Sequence, residues 1–282
     1  MTAAAPGGRR ALLGLALAGA AAGPARAAPA GLPGQGLAQG GFVAARVAPG
    51  TRLALDGRAL RVGPGGEFAF GFGRDHGPES VLAATPPGGR PEAHRLPVAR
   101  RTWDVQHIPG LPPAQVTPDE AALRRIAAER ERLAAARAAD SARTDFAAGF
   151  VRPARGRISG VFGSQRVLNG QPRQPHYGLD VAAPVGTPVA AAASGVATLA
   201  AEFFFFGRLV VLDHGHGVNT LYAHLSEIAV AEGQAVAAGQ RIGAIGATGR
   251  VTGPHLHFSL SWYAVWLDPE PVLPPPPPSP QG

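Results

Sequence analysis

The sequence predicts a mainly β chain: a small N-terminal β domain, one connecting α-helix, and a larger C-terminal antiparallel β domain of sandwich or barrel-like form. Three observations predict it. Short alternating or wholly apolar runs, separated by Gly and Pro turn signals, recur on both sides of a single interval. That interval, residues 117–141, alone carries helical periodicity behind a capping signature. The composition, 45% hydrophobic and 16% charged over 282 residues, supplies a core for one large domain or two modest ones.

Taken in order, Arg9 and Arg10 precede an uncharged run from Ala11 to Ala25, and Ala25-Arg26-Ala27 offers a small-x-small cleavage pattern. Residues 1–27 therefore read as a signal peptide, too short for a membrane span. The paired arginines fit Sec and twin-arginine export alike. The mature chain is expected to be exported, in the periplasm or cell envelope. No other long apolar run exists, so stable membrane insertion of the mature chain is not expected. Cleavage would remove three arginines and no acids, lowering the net charge from +7 to +4. The remaining arginines form no basic block interleaved with aromatics, which argues against a nucleic-acid partner.

Residues 28–40 read as a Gly/Pro/Ala linker, and 41–112 as a small β-sandwich accessory domain. Phe42–Val47, Arg52–Leu55 and Glu67–Phe72 are its clearest strands, with turns at Pro49-Gly50, Asp56-Gly57, Gly63–Gly66 and Pro86–Gly89. His76, His94 and His107 match no metal spacing and are expected in turns or at the surface. In the helix, Thr117 is the expected N-cap, Pro118 the first helical residue and Glu120 the partner of a capping box. Leu123, Ile126, Ala127, Leu133 and Ala134 form its apolar stripe, and Glu120–Arg124 and Arg125–Glu129 are four-apart ion pairs. From 150 to 270 strand-like runs resume, the last being His255–Leu260. Residues 271–282 form a Pro-rich tail that has no means of burying itself.

Absences narrow the chemistry. With no cysteine, disulfides, thiolate metal sites and thiol nucleophiles are excluded; with no lysine, so are Schiff bases and carrier-type modification. The turn around Glu232–Val236, which otherwise looks like that of a biotinyl or lipoyl carrier, therefore has nothing to carry. Six of the nine histidines fall between His176 and His257. A hydrolytic zinc site wants three His or carboxylate ligands and one open position. His255 and His257, two apart on a strand, share a face, and Leu256 takes the other. His176 and Asp180 are four apart, but Gly178 and Ala182-Ala183-Pro184 place them on a strand–loop segment and not on a helix. His214 and His216 sit among glycines in a hairpin turn, where solvation or local backbone bonding is expected.

The segment from Phe162 to Pro269 resembles the lysostaphin-type, LytM-like zinc endopeptidases of peptidase family M23. The resemblance rests on His176-x-x-x-Asp180, Tyr222-Ala223-His224-Leu225 and Gly253-Pro254-His255-Leu256-His257-Phe258, framed by Pro184–Val189 and Gly239–Gly243. One departure is Phe162–Arg166, a residue longer than the commoner Phe-Gly-x-Arg. The resemblance implies that His176, Asp180 and His257 bind Zn2+, that His255 is the general base, and that His224 stabilises the oxyanion. It implies hydrolysis of peptide cross-links in peptidoglycan peptide stems by metal-activated water. The alternative it carries is a non-catalytic LytM-like regulator that activates another cell-wall hydrolase, with a cell-wall regulatory partner. The intact ligand set favours the enzyme. Arg166 and Asn169 are candidates for substrate contact, and the Phe203–Phe206 run for a wall or loop beside the groove, with a simple edge strand or buried turn as its alternative.

Overall fold

In the two-residue turn between β2 (Arg52–Leu55) and β3 (Arg58–Leu60), Asp56 and Gly57 have φ of 48° and 82°. Asp and Gly are the residues that tolerate two successive left-handed conformations, and such a turn has the twist that antiparallel strands require. β5 (Glu79–Thr85) and β6 (Glu92–Pro97) complete a four-stranded sheet in the order β3-β2-β5-β6, while β1 (Phe42–Arg46) pairs with β4 (Glu67–Gly71). Both sheets feed one apolar cluster of Phe68, Phe70, Phe72, Leu53, Leu55, Leu82 and Leu96. The cluster runs on into Val218, Leu260, Trp262 and Leu267 of the C-terminal half. The computed structural model describes residues 36–110 and 118–275; the expected signal peptide 1–27, linker residues 28–35, Thr117 and tail residues 276–282 lie outside them.

Helix α1 (Glu120–Arg137) is capped by Asp119, whose carboxylate accepts the Ala122 N–H at 2.8 Å. Asp119 directly precedes the first helical residue and reaches an orphan donor of the first turn, the work expected of Thr117. Both four-apart ion pairs form. Ile126 and Leu133 are buried, but Leu123 is exposed. The last turn buries Arg137, which donates to Ser261 Oγ and the Tyr263 carbonyl and lies 3.3 Å over the Trp266 ring.

The C-terminal sheet runs β16 (Ala235–Val236), β13 (Gly195–Phe203), β14 (Gly207–Asp213), β15 (Val218–Ile228), β18 (His255–Trp262), β11 (Leu179–Ala182), β8 (Arg157–Gly160). Off this path, β17 (Arg241–Ile245) joins β15 to β12 (Pro188–Ala190), and β19 (Val265–Leu267) pairs with β18. Its pairings are antiparallel, and the mainly β expectation holds. The barrel-like alternative does not: the path ends on two short strands, β16 and β8, that do not pair with each other, so the sheet stays open.

The two faces of this sheet do different work. Leu179, Val181, Val210, Leu212, Tyr222, Leu256 and Phe258 pack one large cluster, while Leu209, Val211, Leu221 and Ala223 meet Leu133 of α1 in another. Alternation then sends Asp180 and His257 away from the first cluster. Beside the sheet, β9 (Gln165–Leu168) forms a hairpin with β10 (Gln171–Pro172) and pairs in parallel with β7 (Val105–Ile108). No helix among the described residues is long and apolar enough to cross a membrane.

Three histidine expectations need correction. His94 is buried on β6, and His214 and His216 are buried too. His214 is not solvated: its ring nitrogens lie 2.6 Å from the Ser194 carbonyl and 2.7 Å from Thr220 Oγ1. The hairpin that carries it folds inward, with the His216 N–H on the Ser141 carbonyl and the Phe146 ring 5.1 Å from the His216 ring.

Candidate metal centre

Cross-strand register brings the site together. Asp180 on β11 faces His257 on β18, and His176 enters from the loop just before β11. Nε2 of His176, Nδ1 of His257 and Oδ1 of Asp180 form a nearly equilateral triangle, with sides of 3.0, 2.9 and 3.0 Å. Two glycines allow this crowding. A Cβ on Gly178 would lie 2.6 Å from His257 Cε1, and one on Gly160 would lie 2.5 Å from Asp180 Oδ2.

Hydrogen bonds at the far side of each ring fix the tautomers. His176 Nδ1 lies 2.9 Å from the Val161 carbonyl, which can only accept, so Nδ1 holds the proton and Nε2 a lone pair. Ser259 donates its hydroxyl proton to the Tyr177 carbonyl at 2.6 Å, so Ser259 Oγ accepts from His257 Nε2–H at 2.8 Å. His257 Nδ1 is therefore a lone pair too. Burial pulls His257 down to about 4, so it is neutral at neutral pH.

Three acceptors thus point at one another with no proton between them, an arrangement that calls for a cation. Zn–N and Zn–O bonds of about 2.0–2.2 Å in a tetrahedron put ligand atoms about 3.3 Å apart, within a few tenths of an ångström of the triangle. The donor set fits zinc. Arg166 Nη2 donates to Asp180 Oδ2 at 2.9 Å, which leaves Oδ1 for the ligand triangle.

His224 and His255 flank the triangle. Their ring centroids are 4.7 Å apart, and His255 Nε2 is 3.8 Å from Asp180 Oδ1. Each donates through Nδ1 to a carbonyl, of Thr248 and Gly253 respectively, at 2.9 Å, so each keeps an Nε2 lone pair. Burial, then the charges of His257 and His255, lowers His224 to about 3. His255 is the more open, its side chain 15% exposed against 1% for His176.

Strict alternation would point His224 with Tyr222 into the large apolar cluster. Instead the register between β14 and β15 slips, and His224 adopts φ 63°. This bulge re-aims the ring toward the face that holds His257. Left-handed backbone at a non-glycine residue is typically worth about 1–3 kcal/mol of strain. The His224 N–H bonds the Phe206 carbonyl at 2.8 Å, and the Phe206 ring stands 6.1 Å from that of His257.

Residues 174–269 match the profile of Peptidase family M23. These residues form a Peptidase M23 domain. The peptidoglycan DD-endopeptidase ShyA of Vibrio cholerae is 48% identical over 105 residues, 37% of this chain and 24% of ShyA. The DD-carboxypeptidase/endopeptidase Mpg of Neisseria meningitidis is 53% identical over 83 residues, 29% of this chain and 19% of Mpg. The chain thus spans about a quarter or less of these relatives. A solved peptidase M23 structure from Pseudomonas aeruginosa superposes with a TM-score of 0.63 at 28% identity, covering 83% of this chain and 93% of that one.

Within the M23 domain, Phe203 ends β13, pairing with Gly207, and Phe204, Phe205 and Phe206 form the tight turn into β14. Helix α1 grips that turn: Glu129 accepts the Phe204 N–H at 2.8 Å while also pairing with Arg125. Asn169, with φ 47°, sits with Gly170 in the β9–β10 turn and is not brought into the triangle. Sequence reasoning missed Ser259, Val161, Thr248 and Gly253, which orient the four imidazoles. Only Ser259 carried a readable signal: it lies two residues after His257, on the same strand face.

Proposed function

We propose that this chain is an exported zinc metalloendopeptidase that hydrolyses peptide cross-links of peptidoglycan. The convergence of three unprotonated donors inside an M23 domain carries the reading, and relatives named as peptidoglycan DD-endopeptidases support its substrate class. Residues 1–27 would direct export, 41–112 would be an accessory domain, and 150–270 would do the chemistry. Zinc held by His176, Asp180 and His257 would supply Lewis acidity, activating water at neutral pH and polarising the scissile carbonyl.

The chain's own residues then divide the proton work. His255, anchored through Nδ1 to the Gly253 carbonyl, offers Nε2 as the general base for the attacking water. His224 serves the developing oxyanion once its Nε2, a lone pair in the resting ring, has taken a proton from solvent water. Negative charge growing beside it during attack raises its basicity for that purpose. Incubating the mature, zinc-loaded protein with purified muropeptides, with and without a chelator, tests the proposal. Cross-link cleavage abolished by the chelator is expected. Cleavage that survives complete metal removal overturns the zinc mechanism, and no cleavage at all favours the regulator.

A further inference from the structure

The turn between β13 and β14 spends its backbone groups on three other parts of the fold. The Phe204 N–H goes to Glu129 Oε2 of α1 at 2.8 Å, the Phe205 carbonyl to the Arg250 N–H at 2.9 Å, and the Phe206 carbonyl to the His224 N–H at 2.8 Å. Just beyond it, Gly207 packs so closely on Thr248 that a Cβ there would lie 2.2 Å from Thr248 Oγ1, which also accepts the Arg208 N–H at 3.0 Å. Thr248 in turn supplies the carbonyl that holds His224 Nδ1. Both anchors of His224, one at its backbone and one at its ring, therefore follow this turn.

Glu129 does not behave as one half of a solvated helix pair. Its side chain is 13% exposed, against 52% for its partner Arg125. A carboxylate drawn this far from water needs fixed donors. Arg125 Nε and the Phe204 N–H supply them, each on its own oxygen. Arg132 lies 5.5 Å over the Phe203 ring, and Leu133 shares a buried cluster with Phe203 and Leu209, so α1 holds this end of the hairpin by side chain and backbone alike. His224 depends on such holding, because left-handed backbone at a non-glycine residue persists only where its surroundings over-determine it. We propose that Glu129 is a positioning residue for His224, acting through the Phe204–Phe206 turn, and that α1 is thereby part of the catalytic unit. This deepens the peptidase reading and rests on it for the role of His224.

The test compares the zinc-loaded wild type with Glu129→Ala, Glu129→Gln and Arg124→Ala on a cross-linked muropeptide dimer. Arg124→Ala removes an exposed four-apart pair from the same helix without touching the turn. Displacing His224 without deleting it should lower kcat about 10-fold in Glu129→Ala, with KM and zinc affinity within about 2-fold of wild type. Gln keeps an acceptor for the Phe204 N–H and should restore kcat to within about 3-fold, and Arg124→Ala should not lower it. In a His224→Ala background, Glu129→Ala should cost nothing further, since residues that act as a unit are not additive. Hydrogen exchange of the His224 amide needs no substrate and should quicken about 10-fold in Glu129→Ala but not in Arg124→Ala. A loss of kcat that is the same with and without His224, an equal loss in Arg124→Ala, or an unchanged exchange rate overturns the positioning role and leaves the peptidase reading standing. No cleavage by any of these proteins overturns the peptidase reading, and the exchange rate then decides by itself whether α1 holds His224.

Discussion

Ser259→Ala isolates the hydrogen bond that sets the tautomer of His257. In the native protein Ser259 Oγ accepts from His257 Nε2–H at 2.8 Å and donates to the Tyr177 carbonyl at 2.6 Å, in a fully buried setting. Alanine removes both bonds and leaves two buried polar groups unpaired. Each such group typically costs about 1–3 kcal/mol. Without its acceptor the ring is also free to take the other tautomer, which puts a proton where the ligand lone pair should be. Loss of an outer partner of this kind lowers metal affinity by about 10- to 100-fold. Zinc competition against a chromogenic chelator reads the affinity, and denaturant unfolding of the zinc-free protein reads the stability. A Ser259→Ala protein that binds zinc within about 3-fold of wild type, with the same unfolding midpoint, would refute the tautomer argument.

Three other perturbations probe separate steps. His257→Ala should lose zinc and activity together, whereas His255→Ala should keep zinc and lose turnover by about 10²–10⁴-fold, and His224→Ala by about 10²–10³-fold; equal zinc loss in the His255 and His257 variants would make both ligands. Gly178→Ala places a methyl 2.6 Å from His257 Cε1. It should displace the ring and cost about 1–3 kcal/mol of stability along with metal binding, as overpacking does; a zinc-replete variant of native stability would contradict this. For the zinc-free protein, His224 and His257 are depressed from 6.5 to about 3 and about 4. The unfolded chain therefore takes up protons first, so stability should be full above about pH 6.5 and fall as pH drops toward 4. Denaturant midpoints that do not change between pH 7.5 and 4.5 would remove the burial argument.

Much of the site was legible because its logic is local. Strand alternation alone puts His255 and His257 on the face opposite Leu256, and Gly178 makes a helical His176–Asp180 pair untenable. The Asp56-Gly57 hairpin was equally plain, since few residue pairs accept that backbone. What escaped depends on contacts far apart in sequence. β5 and β6 carry three alanines, two glutamates and only one β-branched apolar residue, and they become strands through pairing with each other and, for β5, with β2. The parallel pairing of β7 with β9 joins segments about sixty residues apart. Local glycine content suggested an exposed turn for His214 and His216, but the hairpin packs against Phe146 and Phe150. The bulge that turns His224 is set by register against β14, which spacing within one strand does not encode.

The central claim is that His176 Nε2, Asp180 Oδ1 and His257 Nδ1 converge on one cation. Diffraction from crystals of the zinc-loaded protein, recorded on both sides of the zinc absorption edge, tests it most directly. The account predicts one strong anomalous peak at about 2.0–2.2 Å from each of these three atoms, with His224 and His255 outside bonding distance. A peak bonded to His257 Nε2, or to His224 or His255 in place of one of the three, would contradict it, as would no peak at all.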